Sequence, residues 1–227
     1  MTFGSVFGRT FSPTFQPSSQ AAAVASGGWW DLNGAITSCI AAYQAKGAAS
    51  YAASKVNLAN AGTYDLSNGT AYPTWDTSTG WTFTQANSEY LTGATLSGLA
   101  QDSFTIIFHS SINASGKDKG VFDIGPVWLW YTYKNTFIRG RYYTTSNTNY
   151  IPAIAGAAVY CFSNTAGYRD GEKLVDIATG TGTTSDTLTV GKSAGGYHNG
   201  TIRSFALYGA VLTSTQIGNL TTAMAAL

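Results

Sequence analysis

Residues 157–176 read AAVYCFSNTAGYRDGEKLVD, and they decide the fold. The run AAVYCFSN is short, apolar and rich in Val, Tyr and Phe, which suits a strand rather than a long helix. A second run, GYRDGEKLVDIA (167–178), is broken by Asp170-Gly171. Gly takes positive φ without steric cost, so "RDG" is a hairpin turn signal between two strands.

The same pattern repeats outward from this hairpin. SCIAAYQA (38–45) reads as a first strand, followed by one short helix in AASYAASKVNLA (48–59) and a long turn-rich connection over 62–80. Strand-like runs then come quickly: WTFTQ (81–85), EYLTG (89–93), DSFTIIFHSS (102–111), KGVFDIG (119–125), VWLWYTY (127–133), TFIRGRYYT (136–144) and NYIPAIA (149–155). After the hairpin come DTLTVGK (186–192) and TIRSFALYGAVL (201–212). Many short strands separated by Gly, Asn and Asp turns predict an all-β sandwich. The chain ends in LTSTQIGNLTTAMAAL, where Thr213 and Gln216 form a capping-box pattern. Ile217, Leu220 and Met224 then share one face, which predicts a short C-terminal helix over 214–225.

Composition agrees. The 227 residues are 44% hydrophobic and 14% aromatic but only 10% charged, with a net charge of +1. Such a chain folds, and its scarcity of Glu, Lys and Arg disfavours long helices. Near-zero charge provides no field for nucleic acid or an anionic membrane, and neither partner is expected. No apolar run reaches the ~18 residues of a membrane span. AAAVASGG (21–28) resembles a signal cleavage site, but Pro13 and Pro17 break the segment before it, so no export signal is expected. Cys39 and Cys161 lie in apolar runs and read as buried free thiols, with a single disulfide as the alternative.

Three stretches carry a resemblance to the laminin-G-like, concanavalin A-like family of jelly-roll domains. They are the hairpin GYRDGEKLVD, the pair EYLTG and DSFTIIFHSS, and the ending TLTVGKSAGGYHNGTIRSFALYGAVLTSTQI. The resemblance spans about residues 31–222. It implies a concanavalin A-like jelly-roll sandwich, a fold that hosts lectins, glycosidases, adhesion modules and virion proteins. The glycosidases of this family that act on laminarin-like glucans carry a Glu-x-Asp-x-x-Glu strand, which sets two carboxylates on one face. This chain has two glutamates, Glu89 and Glu172, and neither lies in that pattern. The expectation is therefore a non-enzymatic protein.

Other chemistry is thin. VGKSAGG resembles a phosphate loop, but Asp186 stands where the first glycine is needed. His109 and His198 lie outside any triad or metal spacing and read as surface or half-buried side chains. No cofactor is expected. Calcium stays open at the loop aspartates Asp65, Asp76, Asp118 and Asp170, although no D-x-D-x-D-G motif is present.

Two regions read as binding surfaces. In a strand Trp128 and Trp130 share one face, and Tyr131 and Tyr133 the other. One face belongs in the core or at a subunit contact, and the other suits a platform for sugar rings. The second region is residues 1–28, which hold one charge (Arg9) and no acid. Phe3, Phe7, Phe11 and Phe15 recur every four residues, while Gly4, Gly8 and Pro13 oppose a helix. An extended arm would point all four rings the same way, about 13 Å apart at ~3.3 Å per residue.

The organisation expected is an arm over 1–28 and a sandwich over 29–227. The first expectation for function is a structural protein of a virion, as a capsid decoration or tail-associated component, docked on neighbouring subunits by its arm and forming a homo-oligomer. The alternative is a lectin-like module that binds glycan.

Overall fold

In a computed structural model, the described residues are 27–34, 36–100, 103–112, 119–124, 128–133, 137–142, 148–154, 156–163, 166–177, 183–193 and 196–227. In chain order the elements begin with β1 (Cys39–Gln44), α1 (Tyr51–Ser54), β2 (Ser67–Asn68), β3 (Thr74–Asp76) and β4 (Gly80–Phe83). Then follow β5 (Leu91–Ala100), β6 (Thr105–Ile112), β7 (Lys119–Asp123), β8 (Trp128–Tyr133), β9 (Phe137–Tyr142) and β10 (Thr148–Pro152). The last are β11 (Ala157–Ser163), β12 (Ala166–Arg169), β13 (Glu172–Asp176), β14 (Thr183–Val190), β15 (Lys192–Ser193), β16 (Gly196–Tyr197), β17 (Gly200–Tyr208) and α2 (Ser214–Ala225).

The chain forms an all-β sandwich. One sheet runs β13-β12-β11-β6-β17-β4-β3, with β1 also paired to β17; the other runs β10-β9-β8-β7-β14-β5-β2. Neighbouring strands within each sheet are antiparallel. Successive strands cross between the sheets: β5 belongs to the second, β6 to the first, β7 to the second. The jelly-roll expectation fits this crossing.

Alternation along the strands explains the two-faced apolar runs. From β6, Ile106 and Phe108 enter the core between the sheets, while Ile107 faces the outer side. In β11, Tyr160 and Phe162 point inward and Val159 and Cys161 outward; in β17, Phe205 and Leu207 point inward and Ala206 and Tyr208 outward. At the core's centre the Phe122 ring lies 5.0 Å from Phe108 and 4.9 Å from Phe205. The outer face is covered by Ile217, Leu220 and Met224 of α2, with Trp29 and Trp30 packed beside them. Burying three such side chains contributes about 1.5–3 kcal/mol each. That is why a 12-residue helix with little charge stays docked.

Local signals act as expected at several points. The hairpin turns at Asp170 (φ 51°) and Gly171 (φ 84°). The Asp170 carboxylate accepts from the Val159 amide at 2.9 Å, tying the turn to β11. Helix α2 starts on the capping box: Thr213 Oγ1 accepts from Gln216 N at 3.2 Å, and Thr213 N donates to Gln216 Oε1 at 3.0 Å. Cys39 and Cys161 are free thiols, with Cys161 buried and Cys39 partly so. Burial, then the Asp31 charge, pushes the Cys39 thiol up to about 12, so it is not a nucleophile.

Three expectations need correcting. The connection over 62–80 holds β2 and β3. The strand expected in 89–93 begins at Leu91 and extends to Ala100, because β14 pairs along it, with two register shifts. Both histidines are buried, with His198 0% and His109 5% exposed. His109 lies under α2, where its Nδ1 is 3.2 Å from the Met224 carbonyl, and His198 packs edge-on to Phe83 at 5.7 Å.

Candidate functional site

The aromatic strand Trp128–Tyr133 lies inside the seven-stranded sheet, between β7 and β9, with Trp130 opposite Phe122 and Gly140. The side chains of Trp128, Trp130, Tyr131 and Tyr133 lie outside the described residues. So does the arm with Phe3, Phe7, Arg9, Phe11 and Phe15, and so does Asp118. The three other aspartates named above all accept from backbone amides: Asp65 from Asn57 and Gly62, Asp76 from Ser78, and Asp170 from Val159. Among the described residues no group of three or more His, Cys, Asp or Glu could hold a metal ion.

A polar aromatic surface does form, in a place where no single stretch of sequence is aromatic. Its foundation is buried. Ser50 caps α1 by accepting from Ala53 N at 3.1 Å. Ser54 Oγ donates to the Tyr51 carbonyl at 2.7 Å and accepts from buried Trp81 Nε1 at 2.9 Å, which pins the helix to the core. Asn57 is fully buried. Its Oδ1 accepts from Ala42 N (2.9 Å) and Ala59 N (3.1 Å), and its Nδ2 donates to Ile40 O (3.1 Å) and Thr63 O (2.8 Å). Every hydrogen-bonding position of this amide used for structure is filled, so the loop after α1 is locked to β1.

The surface grows from that base. Tyr51 Oη donates to Asn68 Oδ1 at 2.9 Å, and Lys55 Nζ donates to the same oxygen at 2.9 Å. The Lys55 ammonium also lies 4.5 Å from the Tyr51 ring centre. Tyr72, 54% exposed, stacks on Tyr51 with centres 6.0 Å apart. Burial, then neighbouring Tyr72, raises the Tyr51 hydroxyl to about 12, so it remains a donor.

A second tyrosine pair sits beside the first, joined by residues 68–72. Gly69 N donates to Tyr90 O and Tyr90 N to Ala71 O, both at 3.0 Å. The Tyr90 ring lies directly on Gly69, where an added Cβ would come within 2.5 Å of it. The Thr70 and Tyr90 hydroxyls are 3.4 Å apart. Across the gap, Lys192 and Tyr197 face each other on the β15–β16 hairpin. Lys192 Nζ lies 4.5 Å from the Tyr90 ring centre and 5.8 Å from that of Tyr197. The hydrogen bond from Thr70 and then the Lys192 charge hold the Tyr90 hydroxyl below its usual range.

Four tyrosines and two lysines therefore line one strip of the rim. Flat rings with adjacent donors and acceptors suit a ligand that has C–H faces and hydroxyl edges. Aromatic spacing in the sequence could not have found this strip, since its members come from four separate segments.

No family model and no curated protein matches the chain. Solved structures do. A Trypanosoma rangeli sialidase in complex with sialic acid aligns with a TM-score of 0.58 and 14% identity, over 81% of this chain and 32% of that one. A structure from a study of botulinum neurotoxin type C, whose cell entry depends on two ganglioside molecules, aligns with a TM-score of 0.61 and 12% identity, over 82% of this chain and 51% of that one. The binding domain of botulinum neurotoxin DC in complex with SialylT aligns with a TM-score of 0.60 and 14% identity, over 83% and 52%. At these identities the likeness shows the fold, and this chain spans about a third of the sialidase and half of the toxin structures. The expectation of a non-enzymatic protein is corrected by these neighbours, because an enzyme, a sialidase, contains this architecture. The missing Glu-x-Asp-x-x-Glu strand speaks only to one kind of glycosidase.

Proposed function

We propose that this chain is a carbohydrate-binding module and that the tyrosine strip at Tyr51, Tyr72, Tyr90 and Tyr197 is its binding surface. The observation that carries the reading is the strip itself: two ring pairs, at 6.0 and 6.4 Å, on a hydrogen-bonded rim with Asn68, Thr70 and two lysines beside them. The glycans named for its structural neighbours support it. A glycan array with the wild type, Tyr72→Ala, Tyr90→Ala and a Trp128→Ala/Trp130→Ala double variant tests it. Either tyrosine change is expected to weaken binding about tenfold, the worth of ~1.4 kcal/mol. Loss confined to the tryptophan variant, with its fold intact, would move the site to β8.

A second proposal rests on the sequence of the arm. The ladder Phe3, Phe7, Phe11, Phe15 supports docking on neighbouring subunits of a virion, where a glycan-binding rim would serve attachment. Deleting residues 1–20 should then abolish incorporation into particles without lowering the melting temperature. Full incorporation of the truncated chain would refute it.

A further inference from the structure

We infer that the strip is selective for an acidic sugar, one bearing a carboxylate or sulfate on a pyranose ring. This inference rests on the glycan-binding reading above and specifies its ligand class. The strip carries two ammonium groups, Lys55 and Lys192, each 4.5 Å from a tyrosine ring centre. Among the described residues the ion pairs are Arg169 with Asp170 and Lys173 with Asp176, so neither strip lysine has a carboxylate partner.

The neighbouring acid is already engaged by the protein. Glu89 precedes Tyr90 but is buried, with Oε2 accepting from Thr84 N at 2.7 Å and Oε1 from Asn87 Nδ2 at 2.9 Å. Both carboxylate oxygens are held by neutral donors of the protein. The charge still acts on the Tyr51 hydroxyl, and the two ammonium groups outnumber it on the strip.

The lysines are held yet retain valence. An ammonium has three donors. Asn68 Oδ1 takes one from Lys55, and the ring face of Tyr51 restrains the rest of the group. Partial burial lowers the Lys55 pKa, the direction expected of an amine that would gain from an anion. Lys192 lies between two rings, close to both. A neutral sugar stacked here would displace water from two cations and offer only hydroxyl acceptors in return. A carboxylate or sulfate would return charge-assisted hydrogen bonds. The rings bind the sugar's C–H face, and the ammonium groups choose the acidic member of each pair.

The test is titration of the full chain with three oligosaccharides of one backbone: neutral, carboxylated and sulfated. Wild type, Lys55→Gln, Lys192→Gln and Tyr72→Ala are compared at low and high salt. The expected result is at least tenfold tighter binding of an acidic member than of its neutral parent. The preference should shrink in each lysine variant and at high salt, while Tyr72→Ala weakens all members equally. Carboxylate and sulfate arms separate the two sources of charge. Equal affinity for all three with Tyr72→Ala still weakening binding would overturn the acidic preference and leave the glycan site standing. Absence of binding to every sugar would overturn both.

Discussion

The segment from Tyr51 to Tyr72 has two sides that treat polar atoms in opposite ways. Inward, Asn57 is fully buried and makes four hydrogen bonds to backbone groups. Outward, Lys55 has given one donor to Asn68, and Tyr72 is 54% exposed. A buried polar group left unmatched costs ~1–3 kcal/mol, and the Asn57 amide is matched at both its oxygen and its nitrogen. On the rim, water satisfies whatever the protein does not, and the unfilled valence remains for a ligand. Stability and recognition thus come from adjacent residues but from different sides of one loop.

The comparison breaks most sharply at Asn57. Changing Asn57→Ala removes the side-chain partner of Ala42 N, Ala59 N, Ile40 O and Thr63 O from a fully buried position. The expected loss is about 3 kcal/mol or more. At ~2–4 °C per kcal/mol for a chain of this size, the melting temperature should fall by roughly 6–12 °C. A shift under about 2 °C on that scale would show that the loop is held by other contacts. Lys192→Gln, on the outward side, should leave the melting temperature unchanged.

His109 sharpens the same contrast with a group that can change its charge. It is buried under α2, with Nδ1 at the Met224 carbonyl and Nε2 3.4 Å from the Arg203 guanidinium. Burial first, then the Arg203 charge, lowers its pKa below the ordinary 6.5. The unfolded chain therefore binds a proton before the folded chain does. Stability is full above the unfolded value and falls as pH drops below about 6.5. Chemical denaturation between pH 7.5 and 5 should show this decline. His109→Gln should flatten that decline, and an unchanged profile in the variant would assign it to other groups.

How much of this was legible in the sequence follows the same division. The Asp170-Gly171 turn and the Thr213–Gln216 cap were readable because each is a local rule satisfied by near neighbours in the chain. The inner strands were readable because their apolar runs are dense. Strand β5 past Gly93 was not, since Ala94, Ser97 and Gly98 carry little pattern and the strand exists by pairing with β14. The burial of His109 and His198 was missed for a related reason: a helix more than 100 residues later covers one, and the closing hairpin turn brings the other against Phe83. The strip is the extreme case. Tyr51, Tyr72, Tyr90 and Tyr197 are unremarkable in sequence and become a surface only through the sandwich. Dense aromatics mark packing well, and a ligand face assembled from isolated residues leaves no run to notice.

Gly69 offers a small effect on stability and the finest test of where recognition lies. It has no left-handed φ requirement, so alanine meets no backbone strain there. What alanine meets is the Tyr90 ring, 2.5 Å from the new Cβ, and the ring must move. Tyr90 is half-buried with its hydroxyl at the surface, so it can swing outward at little cost, about 0.5 kcal/mol. Moving it separates the ring from Lys192 and from Thr70, which dismantles the second half of the strip without substituting any side chain that would touch sugar. Gly69→Ala should therefore keep the wild-type melting temperature and lose about tenfold in glycan affinity, an energy of ~1.4 kcal/mol. If the melting temperature falls and affinity holds, Tyr90 belongs to the inward side of the comparison, as packing for β2, and the binding surface contracts to Tyr51, Lys55, Asn68 and Tyr72.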